Sequence, residues 1–140
     1  MKKKSYKKYL VFALLFGICA VSSVKAEELF SVTAEPTYTF SGLVGPFSWA
    51  PVGDTVGGAL KTTPVAASAV KWTYTDKDSH KLWVRVVGSD KASKGSILVT
   101  EMNKSTGFST NTVQGNYYNL EAKREHIIDP MTNEKGVWVP

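Results

Sequence analysis

The chain has 140 residues, with 17 Lys and Arg against 12 Asp and Glu, a net charge of +5 and one cysteine. That length predicts a single domain, and one cysteine excludes an internal disulfide framework. Six of the lysines (Lys2, Lys3, Lys4, Lys7, Lys8 and Lys25) precede Glu27 with no acid among them, so the remainder is close to neutral and carries no footprint for nucleic acid.

The first element is a leader. Lys2 to Lys8 form a basic region ahead of an uncharged stretch from Leu10 to Val21. A run of about twelve residues fits a signal peptide and falls short of the roughly twenty that span a bilayer. Val24 and Ala26 stand where an A-x-A-like site needs small residues, which predicts cleavage between Ala26 and Glu27. Residues 1–26 are read as the signal peptide and 27–140 as the exported domain, secreted or held at the cell wall. The competing readings keep the chain at the membrane, through an uncleaved leader or a lipidated Cys19. Ile18, just before Cys19, is β-branched where a lipoprotein site needs a small residue, so cleavage after Ala26 is preferred.

From Phe30 to Phe40 apolar residues and Pro36 hold the even positions and polar residues the odd ones, the alternation of a half-buried strand. Pro36 cannot donate to a ladder, so this strand is expected at an edge or broken there. Residues 41–64 are rich in Gly and Pro, poor in charge, and read as a long irregular loop. Alternation returns in Ala69–Thr75, with Val70, Trp72 and Tyr74 on one face. "DKDSH" is a turn. In Lys81–Gly88 both faces are apolar in part, Leu82, Val84 and Val86 against Trp83, Arg85 and Val87, which predicts a central strand. "SDKASKG" turns, Ser96–Met102 is a strand, "NKSTG" turns, and Phe108–Gln114 reads as a polar, peripheral strand. "DPMTNEKG" leads into a last short strand, Val137–Pro140.

Tyr117–Ile128 is ambiguous. It holds good helix formers behind a possible cap at Asn119, yet Tyr118, Leu120 and Ala122 alternate as in a strand, which would leave most of "AKREH" facing water. Its neighbours favour a strand. Turn signals recur at about 8–12 residues, so the fold class is all-β: one antiparallel sandwich or flattened barrel of about six to eight strands.

Little reactive chemistry is legible. His80 and His126 are far apart and lie in no His-x-x-x-His or His-Glu-x-x-His pattern, so no metal site is expected. Asp76, Asp78 and His80 begin like a calcium loop but lack its closing glycine and glutamate. In a strand Glu125 would point away from His126. No Gly-x-Ser-x-Gly elbow occurs. Gly57–Gly58 is read as a loop dipeptide and not as a peptide-processing site. Trp72 and Trp138 are expected in the core, with Trp83 and one of Tyr117 and Tyr118 facing outward. Phe47 and Trp49, in the weakly charged "GPFSWAP", are the candidate binding loop; the plainer alternative is that this loop folds back over one end of the sandwich.

The C-terminal third, "TVQGNYYNLEAKREHIIDP" followed by "KGVWVP", resembles an uncharacterised family of small exported β-rich proteins of Gram-positive bacteria. The matching positions are Gly115, Tyr117, Tyr118, Ala122, Arg124, Gly136, Trp138 and Pro140. Such genes often lie near bacteriocin-type or peptide-export transporters, so the resemblance implies an envelope or bacteriocin-linked role and a strand at Tyr117. It brings no catalytic residues.

These readings predict an exported, non-enzymatic binding protein with no cofactor and no metal, whose partner is a protein, a peptide or an envelope ligand, and which can touch a membrane without being integral to it once the leader is cleaved. Two other classes stand beside it. One is a secreted antimicrobial or bacteriocin-associated factor acting at membranes through Phe47–Leu60. The other is a small envelope hydrolase using convergent acids or His126.

Overall fold

The computed structural model describes residues 36–77 and 81–140. The leader, the Ala26–Glu27 junction, Cys19, residues 30–35 and His80 lie outside the described residues. Among the described residues the chain has nine strands and no helix: β1 (Tyr38–Val44), β2 (Ala50–Pro51), β3 (Ala59–Leu60), β4 (Ala67–Thr75), β5 (Leu82–Val87), β6 (Ser93–Val99), β7 (Ser105–Ser109), β8 (Tyr117–Arg124) and β9 (Thr132–Val139). All their pairings are antiparallel. One sheet runs β1-β9-β4-β7, and the other β2-β8-β5-β6 with β3 also on the β8 edge. The count exceeds six to eight because β2 and β3 are dipeptides that pair with successive parts of β8.

Both sides of the sandwich are stitched. Val52 N and Gly53 N donate to Leu120 O at 3.0 and 3.2 Å, while Val52 O accepts from Ser41 N at 2.8 Å. Residues 50–53 thus cross from the β8 edge to the β1 edge. On the other side Asn111 N donates to Lys94 O at 2.6 Å, joining the ends of β6 and β7. The result is a two-sheet sandwich, bridged along its β1 and β8 sides by residues 50–53 and joined near β6 and β7 at Asn111, which satisfies backbone groups that open edges would leave unpaired.

Between the sheets lie Phe40, Val44, Val70, Trp72, Leu82, Val84, Val86, Val99, Leu120, Ala122 and Trp138, all essentially buried. Each large apolar side chain removed from water is worth about 1.5–3 kcal/mol. Trp72 and Trp138 are in this core as expected. β5 is central, between β8 and β6. β7 is peripheral, the edge of its sheet.

Several sequence expectations need correction. The irregular stretch 41–64 is partly regular: Ser41–Val44 completes β1, and β2 and β3 lie within it. Low side-chain content does not stop a backbone from pairing when a partner edge is open. Pro36 and Thr37 precede β1 and do not interrupt it. Tyr74 does not share the buried face of Trp72, because the β4–β9 register shifts between the two residues and turns Tyr74 outward. Val87 is buried, past a similar shift between Val86 and Val87. The turn read in "SDKASKG" is shorter, since Ser93–Gly95 begin β6, which ends at Val99 and not at Met102; and the strand read over Phe108–Gln114 is instead β7, Ser105–Ser109, with 110–114 outside any strand. "TNEKG" belongs to β9, whose buried positions Thr132, Glu134, Gly136 and Trp138 keep strict alternation. The Tyr117 segment is a strand to Arg124, but Arg124 does not face water: it is fully buried.

Two glycines explain themselves. At Gly136 a Cβ would lie 2.5 Å from Phe40 Cε1 and closer still to Lys71 O, so the Phe40 ring needs the bare α-carbon beneath it. Gly58 has φ +95°, and a Cβ there would stand 2.8 Å from Tyr118 O, so Gly57–Gly58 is a turn shaped against β8.

Candidate functional site

β1 ends at Val44, β8 ends at Arg124 and β9 starts at Thr132, opposite Val44. The 45–49 and 125–131 loops therefore leave the same end of the sandwich. They meet at Gly45, whose carbonyl accepts from Arg124 N at 2.9 Å. A Cβ on Gly45 would be 3.4 Å from Met131 Cγ, which places the Met131 side chain against this loop.

The 125–131 loop is organised around a tight turn. Asp129 N donates to His126 O at 3.0 Å, and His126 N donates to Asp129 Oδ2 at 2.8 Å. The two central positions of this turn are Ile127 and Ile128. Turn centres favour Gly, Asn, Asp, Ser or Pro, and β-branched apolar residues gain nothing there. Yet Ile127 is 70% exposed and Ile128 89%, while the carboxylate of Asp129 turns inward. Across Gly45, Phe47 is 79% exposed. Met131 and Leu43 are also more than half exposed. Five large apolar side chains thus stand at or beside one end of the molecule. Folding alone does not call for them there.

Phe47 and Trp49 part company. The expectation that their loop folds back as a cover fails for Phe47. Trp49 instead lies on the outer face of the five-stranded sheet, with Arg85 Cζ 4.5 Å and Lys123 Nζ 5.1 Å from its ring centroid. Arg85 is held in place by Glu121, whose Oε2 accepts from Nε at 2.7 Å and lies 2.6 Å from Nη2. Trp83 is directly opposite Lys123 on the same outer face, half-buried. Lys81 Nζ is 3.9 Å from Glu125. His126 Nε2 is 3.0 Å from Glu125 Oε2, so these two groups touch, contrary to the strand-based expectation, because β8 stops at Arg124.

Beneath the loops lies a buried polar cluster that the sequence reading missed. Glu134 Oε1 accepts from Arg124 Nη1 at 2.9 Å, from Thr75 Oγ1 at 3.2 Å and from Thr132 Oγ1 at short range. Its Oε2 accepts from Trp72 Nε1 at 2.6 Å. Arg124 comes from one sheet and Glu134, Thr75 and Trp72 from the other, so the cluster pins the sheets together where the loops begin. The signal was available: Arg124 continues the inward series Tyr118, Leu120, Ala122, and Glu134 sits in phase with Trp138.

The remaining family-like positions form no single site. Gly115 (φ +87°) and exposed Tyr117 are at the far end, where Tyr117, Tyr118, Asn116, Gly88, Asp90 and Lys94 line an open hollow of about 370 Å³. Tyr118 turns inward and its hydroxyl accepts from Val113 N at 2.8 Å. Ala122, Gly136 and Trp138 are core, and Pro140 is buried with its carbonyl accepting from Lys61 Nζ. Their common role is the framework. Among the described residues no three His, Cys, Asp or Glu side chains gather as a metal site would require.

Comparisons of the chain with protein-family models, with curated proteins and with solved structures give no match.

Proposed function

We propose that the chain is an exported, non-enzymatic binding protein of the cell envelope, and that it meets its target with the end carrying the 45–49 and 125–131 loops. The observation that carries this reading is the turn His126–Asp129. It holds two isoleucines out in water on a hydrogen-bonded frame, at the same end of the sandwich as an exposed Phe47. Rigid, protruding apolar side chains lose little conformational freedom on binding and gain the whole of their burial. The likeness to small exported β-rich proteins encoded near peptide-export genes supports an envelope setting.

The membrane-acting alternative assigned activity to Phe47–Leu60 as one segment. Its middle is bound into the fold: Val52 and Ala59 are buried, and β2 and β3 pair with β8. That favours a binding module over a peptide that works by leaving the body.

Amide exchange tests the proposal. The full chain is measured alone and mixed with envelope fragments of a Gram-positive bacterium. Exchange slows in 45–49 and 125–131 if this end is the binding surface. Unchanged exchange in both segments, with or without protection elsewhere, overturns it.

A further inference from the structure

We infer that the target of this end is a lipid bilayer surface, into which Phe47, Ile127, Ile128 and Met131 insert. The inference rests on the binding-end reading above and adds the partner's chemistry.

The first argument is shape. The apolar residues project from two narrow turns, Phe47 and Ile128 being 79% and 89% exposed. A folded protein partner needs a broad, complementary patch of about 800 Å² per side. Convex tips with bare side chains suit a fluid phase that closes around them.

The second is the order of chemistry along the molecular axis. Residues 45–48 carry no charge, and the acid beside the isoleucines, Asp129, is turned in and bonded to His126 N. Just behind the tips come two indoles and a set of cations. Lys123 is one residue from the end of β8, and Glu121, which holds Arg85, is three residues from it. At about 3.3 Å per strand residue these groups sit roughly 3–10 Å behind the end of β8, from which the tips project. Elements that lie in a bilayer interface bury their apolar parts about 5–10 Å deep. Tryptophan and basic side chains are the residues that settle at headgroup level. Trp49, Trp83, Lys123 and Arg85 therefore stand where headgroups would be when the tips are immersed.

The third is how the charges are spent. Glu121 is taken by Arg85, Glu125 is shared by His126 and Lys81, and Glu134 is buried. Among the described residues Lys123 faces an indole in place of a carboxylate. On the outer face of the five-stranded sheet the layer thus offers a cation to lipid phosphate with each described acid paired, while Asp76, at the same end of the other sheet, is bonded to the neutral Asn133.

The test places one indole at the loop end and one away from it in the full chain. Ile128→Trp and, in the exposed turn between β2 and β3, Val56→Trp are mixed with vesicles of phosphatidylcholine and phosphatidylglycerol in equal parts, their acyl chains brominated. The expected result is quenching of the indole added at 128, none of that added at 56, and loss of the quenching by about tenfold or more when Phe47→Asp is combined with Ile128→Trp. Pure phosphatidylcholine gives the same pattern more weakly. No quenching at 128, or equal quenching at 128 and 56, overturns the inference. If vesicles fail while envelope fragments still slow exchange in 45–49 and 125–131, the binding end stands with a protein or wall partner, and only the lipid is wrong. If both fail, both readings fall.

Discussion

Arg124 Nη1 lies 2.9 Å from Glu134 Oε1, with both side chains at zero exposure, and the pair ties one sheet to the other. A buried ion pair is a poor source of net stability but a costly thing to break, because the abandoned charge has nowhere to go. Its position under the two loops makes it the fixed floor on which the exposed end is built.

Arg124→Met is therefore expected to destabilise the fold by about 3–5 kcal/mol, leaving Glu134 charged and buried. The double variant Arg124→Met with Glu134→Leu should recover most of that loss. Trp72 Nε1 then loses Glu134 but keeps its 2.9 Å bond to Tyr74 O. Urea unfolding of the two variants checks this. Equal losses in single and double variants would contradict it.

Gly136→Ala and Gly115→Ala separate crowding from backbone strain. At Gly136 the new methyl meets Phe40 and a backbone carbonyl that cannot give way, so the cost should be about 3 kcal/mol or more. At Gly115 nothing lies within 4 Å, but φ is +87°, so the cost should be about 1–2 kcal/mol. Denaturant midpoints of the two variants give the comparison.

The fold was legible wherever a strand has one greasy and one wet face. Val70 and Trp72, Leu82 to Val86, and Tyr118 to Ala122 announce their burial by period alone. Legibility failed where the backbone, not the side chains, made the pairing. Ser41–Val44, Ala50–Pro51 and Ala59–Leu60 have little pattern and are ordered by the edges they meet. It failed again where a bulge changed the phase, which sends Tyr74 to the surface. The buried cluster stayed hidden because Arg124 and Glu134 count as polar in any alternation, although both stand in phase with the core. Of the site, Phe47 and Trp49 could be singled out as aromatics in an uncharged loop. Ile127 and Ile128 could not, since period and composition set them at the end of a core-facing element.

Trp49 owes its place to Arg85 and Lys123. Arg85→Met should remove a cation–π contact worth about 0.5–1 kcal/mol and leave Glu121 without its partner. Stability falls by about that amount, and tryptophan emission moves as the ring gains water. Unaltered emission would show that the guanidinium does not hold the ring.

Asp76 accepts hydrogen bonds from the side chain and the backbone N–H of Asn133, which hold its carboxyl below the ordinary aspartate value. A group depressed in the folded state stabilises the fold above the unfolded value of about 3.9, and that contribution is lost as pH falls through the folded value. Carboxyl chemical shifts followed from neutral pH downward should show Asp76 titrating late. Asn133→Ala should return it toward the ordinary value, by removing the side-chain bond.

The most direct measurement compares three full chains that share residues 1–35: the parent, Phe47→Asp with Ile128→Asp at the loop end, and a far-end pair, Val113→Asp in the loop beside Asn116 with Val56→Asp in the β2–β3 turn. Each is titrated with Gram-positive envelope fragments, and the bound share is read by sedimentation. The loop-end pair should weaken binding by about tenfold or more, with the fold intact by circular dichroism, and the far-end pair should bind as the parent does. Equal binding by all three, or loss with the far-end pair alone, would contradict the account.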